Sequence, residues 1–263
     1  MRINKIKDIS IIFFDIDGTL LDHATKKVSD KTLETLKRLK EKGIKLCIAS
    51  GRSPITLPVF EDNLFDAYLT FNGSYCYADD DIIFSNPIDN TDVQKLIHNA
   101  DSLGRPVSIA TRNRVGANGS DDELLQYYAF ADIELVVAED FDDLRNEEVF
   151  QVMMGCNLLD HASILEGVSG AKIVYWWEHA VDIIPSDGGK GVGIQKILEH
   201  FGYDRSEAMA FGDGNNDIDM FNAVDFGIAM GNGSVQLKEI AYDVCDSVTN
   251  DGIYHYCIKH GLV

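Results

Sequence analysis

Residues Ile11–Phe14 form an unbroken apolar run that ends on two aspartates, Asp15 and Asp17, one residue apart. A short run without polar alternation predicts a strand buried on both faces, the pattern of a parallel sheet. Two carboxylates at the end of such a strand are costly, because like charges repel and neither is cheap to bring beside a core. The chain must therefore supply a compensating positive charge at that point.

The pattern downstream of this run predicts alternating strands and helices. VSDKTLETLKRLKEKG predicts a helix with Ser29 as N-cap, Val28 as staple, Leu33, Leu36 and Leu39 at helical spacing, and Gly43 as the stop. IKLCIA predicts a second strand ending at Ser50, Gly51 and Arg52, which completes a right-handed βαβ unit. AYLTFNGSYCY predicts a hairpin turning at Asn72-Gly73. From about Phe84 the rhythm changes to a helix (TDVQKLIHNADSLG), strands (PVSIAT, RVGAN), a helix (DELLQYYAF), strands (EVFQVMMGC, KIVYWW, AVDII) and a helix near His161. That predicts an α+β module with its helices on one side of the strands. After Pro185 the α/β rhythm returns through GKGVGIQKILEHFG, EAMAFGD, DIDMFNAV, FGIAM, VQLKEIA and YDVC. The expected fold class is thus α/β, a Rossmann-like parallel-sheet core over 1–83 and 186–263 with an inserted α+β domain over 84–185.

Composition narrows the function. A chain of 263 residues is long enough to bury a sizeable core. The 23 basic and 43 acidic side chains give a formal charge of −20, which repels nucleic-acid backbones and anionic lipid, so neither is an expected partner. No run of roughly 18 or more apolar residues predicts a membrane span. The N-terminal MRINKIKDIS lacks a small-residue cleavage site and is not read as a secretory leader. Five scattered cysteines without a CxxC pair fit reduced thiols in a cytoplasm, and seven histidines without HExxH or paired spacing read as ordinary surface or core residues.

In an open parallel sheet, ligands sit beyond the carboxyl ends of the strands. Three predicted strands end there in polar residues: Asp15 with Asp17, Ser50 with Gly51, and Asp213 with Asn216 and Asp217. Lys190 opens a predicted helix whose N-terminus faces the same crevice. Four carboxylates at one sheet edge demand a cation, and oxygen-only ligands point to Mg2+ rather than zinc. Each piece read alone also has an ordinary explanation. Asp-Gly is a common turn dipeptide, Ser50-Gly51-Arg52 fits a helix cap, Lys190 sits among glycines but not in a Walker loop, and GDGNND is acidic and turn-like without EF-hand spacing. Their joint order at adjacent strand ends favours one site. Asn72-Gly73 reads as a turn. Trp176-Trp177-Glu178-His179 reads either as core packing or as a substrate platform, and His23 and Arg52 either as substrate contacts or as surface.

The set resembles the haloacid dehalogenase (HAD) superfamily of phosphohydrolases at all four of its motifs: DIDGT at 15–19, IASGR at 48–52, Lys190 in GGKG, and GDGNND at 212–217. The insertion between the second and third motifs, FNG at 71–73 and AMGN at 229–232 are similar to the Cof-like subfamily, of the IIB type. The resemblance implies a catalytic core with an inserted cap domain. It implies that Asp15 is the nucleophile forming an aspartyl-phosphate and Asp17 the general acid and base. Asp15, the Asp17 carbonyl, Asp213 and Asp217 would be the Mg2+ site, and Lys190 would neutralise Asp15 and the transferring group. Ser50, Gly51, Arg52, Lys190 and Asn216 would meet the phosphoryl group. The implied activity is Mg2+-dependent hydrolysis of a small phosphorylated metabolite, sugar phosphates foremost, in the cytoplasm by a monomer or weak homodimer. Two rivals are a phosphotransferase or phosphomutase using the same aspartyl-phosphate, and a non-catalytic phospho-accepting module of receiver type. The role given to Asp17 and the size of the insertion argue for turnover.

Overall fold

The computed structural model describes residues 5–263; Met1–Asn4 of the stretch read for a leader, and the side chains of Lys5, Lys7 and Trp176, lie outside the described set. In chain order, β1 (Ile11–Phe14), α1 (Asp30–Glu41), β2 (Lys45–Ala49), β3 (Ala67–Thr70), β4 (Tyr75–Ala78) and β5 (Asp81–Ser85) come first. Then follow α2 (Asn90–Ser102), β6 (Val107–Thr111), β7 (Val115–Ala117), α3 (Asp122–Phe130), α4 (Phe141–Leu144), β8 (Val149–Gly155), α5 (His161–Ile164), β9 (Ala171–Trp177) and β10 (Ala180–Pro185). The chain closes with α6 (Lys190–Phe201), β11 (Ala208–Gly212), α7 (Ile218–Ala223), β12 (Phe226–Ala229), α8 (Val235–Ile240), β13 (Asp243–Val244) and α9 (Gly252–Lys259). None of the described helices is long and apolar enough to cross a membrane.

Two compact units result: Met1–Ser50 with Pro58–Phe84 and Lys190–Val263, and Gly51–Leu57 with Ser85–Gly189. The first is built on an eight-stranded sheet in the order β13-β12-β11-β1-β2-β3-β4-β5. β1 lies between β11 and β2, parallel to both, with Ile11 opposite Ala208 on one side and Lys45 on the other. All four residues of β1 are fully buried, as the unbroken apolar run demands, and Phe14 stacks on Phe211 at 5.5 Å. α1 forms as expected: the Ser29 side chain accepts from the Thr32 N–H, Leu36 and Leu39 are buried, and Gly43 follows the helix at φ 81°.

The hairpin between β3 and β4 exists, but its connection is wider than an Asn-Gly turn. Thr70 pairs with Tyr75, so Phe71–Ser74 form a four-residue loop with Phe71 and Asn72 both at φ 51°. Phe71 and Asn72 are both buried, and that burial holds two non-glycine residues in the left-handed region. The pattern does not predict β5, α4 or α9. β5 is a short, largely exposed edge strand with no alternation to read; α9 buries Ile253, Tyr256 and Cys257 at helical spacing but begins after Asp251, itself at φ 53° and making no side-chain cap, so its start carries no cap signal.

In the second unit β7-β6-β8-β10-β9 form an antiparallel sheet. One face packs Val107, Ile109, Val152 and Val181 against α2, α4 and α5. The other carries Ser108, Gln151 and Asp182, all buried. Here the expectation of helices on one side fails, because α3 lies on this second face. Its Tyr128 hydroxyl is 2.7 Å from the Ser108 hydroxyl, and its Tyr127 hydroxyl donates to Asp182 at 2.5 Å. The tyrosines of this helix thus meet two of the buried polar side chains, Ser108 and Asp182.

Candidate active site

The carboxyl ends of β1, β2 and β11 carry Asp15, Ser50 and Asp213 respectively, each the first residue beyond its strand. The Asp15 N–H donates to the Phe211 carbonyl at 3.0 Å, which ties the end of β1 to β11. Beyond Asp15 the chain folds back through a tight loop in which Gly18 takes φ 86°. A Cβ on Gly18 would run into the Asp213 carboxylate and come within 2.7 Å of His23 Nε2, so both the conformation and the space demand glycine.

Lys190, the first residue of α6, is fully buried at its side chain, and its ammonium donates to Asp15 Oδ1 at 2.7 Å and to Asp217 Oδ1 at 2.6 Å. Asp217 Oδ2 accepts from the N–H groups of Asp213 and Gly214 at 2.9 and 3.0 Å. The Asp217 carboxylate is thus committed on both oxygens, and it braces Lys190 against the loop after β11. Asp213 accepts from Thr19 Oγ1 at 3.1 Å and from Asn232 Nδ2 at 3.4 Å, and Asn232 also donates to the Gly18 carbonyl at 2.8 Å. Ligand oxygens of Asp15, Asp213 and Asp217 all lie within 4.8 Å of one another.

Three ionised carboxylates and one ammonium leave an excess of two negative charges in a buried place. The electrostatics register the strain. Burial is the main force pushing the Asp15 carboxyl up to about 7; Lys190 opposes the rise and Asp217 adds to it. Asp213 is raised well above the ordinary range by burial and by the charges of Asp15 and Asp217. Burial alone would lower Lys190, yet its two carboxylate partners carry it above its ordinary value. An all-oxygen donor set that is short of two positive charges fits a hard divalent cation of the Mg2+ kind.

Of the sequence-predicted residues, Asp15, Asp213, Asp217 and Lys190 form one cluster, and Asp17 is close enough for its charge to act on Asp15. Ser50 and Asn216 are linked through Asn72. The Asn72 N–H donates to the Ser50 carbonyl at 3.0 Å, and Asn216 Nδ2 donates to Asn72 Oδ1 at 3.3 Å. Gly51 and Arg52 belong to the second unit, where the Arg52 guanidinium donates to the carbonyls of Thr56 and Ala131 at 3.0 and 3.3 Å. Of the aromatic stretch, the Trp176 side chain lies outside the described residues, while Trp177 packs edge-on against Phe130 and His179. Thr19, Asn72 and Asn232 join the site without a role expected from sequence. All three stand inside quoted motifs, so proximity in sequence was the available signal.

A family profile described as haloacid dehalogenase-like hydrolase matches residues 12–257. The chain is 32% identical to the candidate phosphatase YkrA of Bacillus subtilis (strain 168), over 97% of this chain and 99% of YkrA. It is 29% identical to 5-amino-6-(5-phospho-D-ribitylamino)uracil phosphatase YitU of the same organism, over 94% and 95% of the two chains. Among solved structures, a sugar phosphatase of subclass IIB of the HAD superfamily superposes with a TM-score of 0.89 at 28% identity, over 97% of this chain and 100% of the other.

Proposed function

Because the chain belongs to the haloacid dehalogenase-like hydrolases, we propose that it is an Mg2+-dependent phosphatase that hydrolyses small phosphomonoesters, sugar phosphates foremost, through an aspartyl-phosphate on Asp15. The observation that carries this reading is the buried ammonium of Lys190 held between Asp15 and Asp217, with Asp213 converging on the same point. A nucleophilic carboxylate must meet a negatively charged ester, and this arrangement supplies part of the positive charge that the encounter needs.

In the first half-reaction an Asp15 oxygen forms a bond to phosphorus while the bond to the leaving oxygen breaks. The Asp17 carboxyl gives its proton to that oxygen, which departs as the alcohol. In the second, a water oxygen attacks phosphorus and Asp17 takes its proton. The Asp15–phosphorus bond breaks, and inorganic phosphate and the free Asp15 carboxylate result. General acid–base help of this kind contributes roughly 10²–10⁴-fold. Asp15, Asp213 and the Asp17 carbonyl would hold Mg2+, with Asp217 beside them; bound there, the ion supplies charge screening between nucleophile and ester. Lys190 keeps Asp15 oriented and offsets its charge. Ser50 through its hydroxyl, Gly51 through its amide, and Arg52 and Asn216 through their side chains would grip phosphoryl oxygens.

The first unit is proposed as the catalytic core and the second as the cap that chooses the leaving group. The sugar phosphatase and the ribitylaminouracil phosphatase among its relatives support a small phosphorylated metabolite as substrate. Free phosphate measured over a panel of sugar phosphates, nucleotides and cofactor phosphates, with and without Mg2+, tests the proposal. Release that needs Mg2+ and falls at least about 100-fold in Asp17→Asn is the expected result. Undiminished release by Asp17→Asn overturns the assigned role, and an isomerised ester without free phosphate identifies a mutase instead.

A further inference from the structure

Lys190 is gripped at its ammonium by Asp15 and Asp217, and a second acid, outside every motif quoted above, holds its backbone neighbour. Asp219, in the first turn of α7, accepts from the Gly191 N–H through Oδ2 at 3.1 Å. Gly191 is the second residue of α6, so this N–H is one of the orphan donors of a helix N-terminus, and a carboxylate there also complements the helix dipole. The two helices meet closely at this point. A Cβ on Gly191 would stand 2.6 Å from the Asp219 carbonyl oxygen and 3.1 Å from its carbonyl carbon, a contact that only glycine avoids. Asp217 and Asp219 are two residues apart in one segment, one on the Lys190 side chain and the other on the backbone that carries it.

We infer that Asp219 is a positioning residue for the reaction: it pins the N-terminus of α6 to α7 so that the Lys190 ammonium falls between Asp15 and Asp217. It acts through Lys190. Lys190 has a flexible four-carbon stem, and with its side chain buried a displacement of the helix start turns a two-acceptor grip into one with a lost partner. Losing a grip of this kind costs rate rather than substrate affinity, because the charge it places is needed most as the phosphoryl group transfers. The inference rests on the proposed roles of Asp15 and Lys190.

The test compares initial rates on p-nitrophenyl phosphate with Mg2+ for the full chain, Asp219→Ala, Asp219→Asn, Lys190→Arg and the Asp219→Ala/Lys190→Arg double variant, with a thermal midpoint for each. Asp219→Ala is expected to lower kcat about tenfold with KM within about twofold. Asp219→Asn, which keeps an acceptor oxygen, should stay within about threefold of the parent. In the Lys190→Arg background the alanine change should add less than about twofold, as expected when two residues act through one interaction. Should Asp219→Ala fail to fold, Gly191→Ala is the second probe, with the same loss in kcat and the same failure to add. Unchanged kcat, losses that multiply in full, or an asparagine as poor as alanine each overturn the inference. A parent chain inactive on every ester fails the underlying reading first, and that result is seen without any substitution.

Discussion

Both units bury polar groups beside a sheet, and they balance them in opposite ways. On the α3 face of the second unit, Ser108 and Asp182 meet tyrosine hydroxyls at 2.7 and 2.5 Å, and the match consists of hydrogen bonds between side chains made locally available. At the strand ends of the first unit, Asp15, Asp213 and Asp217 share one ammonium, and the raised pKa of Asp15 and of Asp213 records a deficit of positive charge. A folded chain has no reason of stability to keep such a deficit, since burying unbalanced charge costs several kcal/mol on the order of a whole domain's stability. Polar burial that is satisfied supports a fold, and polar burial left short of charge marks a site for a ligand.

Substitution on each side should separate the two cases. The largest effect is expected from Lys190→Met, which removes the only ammonium described as bonded to the cluster. Stability should fall by about 3–5 kcal/mol without Mg2+, activity by at least about 100-fold, and added Mg2+ should recover part of the stability but not the activity. Chemical denaturation with and without the ion reads this directly; a loss indifferent to Mg2+ would place the charge deficit elsewhere. A smaller effect is expected from Tyr128→Phe in the second unit, about 0.5–1.5 kcal/mol of stability with activity within about twofold. An activity loss there as large as at Lys190 would erase the distinction.

The smallest effect separates an ordinary ion pair from the site. Burial pushes Asp66 up, but the Leu46 N–H and the ammonium groups of Lys45 and Lys40 outweigh it and hold the carboxyl below its usual value. A folded-state value below the unfolded one means that the contribution is complete above the ordinary aspartate range and is lost as pH falls through the lowered value. The stability gap between the parent and Asp66→Asn should therefore be present at neutral pH and close in strong acid. A gap that widens on acidification reverses the sign and contradicts the assignment.

Much of the first unit was legible because its signals are local. The apolar run of β1, the Ser29 cap and the strand-end acids each need only a few neighbouring residues to read, and the motifs stand where strands end. The second face of the antiparallel sheet was not legible. Ser108, Gln151 and Asp182 look solvated in sequence, and only the arrival of α3 from a separate stretch makes them interior. The turn after β3 is wider than its Asn-Gly pair suggests for a similar reason, since Asn72 answers to Ser50 and Asn216, both distant in sequence. Asp219 escaped because its partner is a backbone amide, and an amide leaves no letter in the sequence.

The central claim is that the acids after β1 and β11 are jointly short of charge and take up one hard divalent cation. Calorimetric titration of the parent chain and of Asp213→Asn with MgCl2, without substrate, measures that claim directly. The account predicts one Mg2+ per parent chain and at least about tenfold weaker binding in Asp213→Asn, a difference of about 1.4 kcal/mol. A parent that takes up no Mg2+, or a variant that binds it as tightly as the parent, would contradict it.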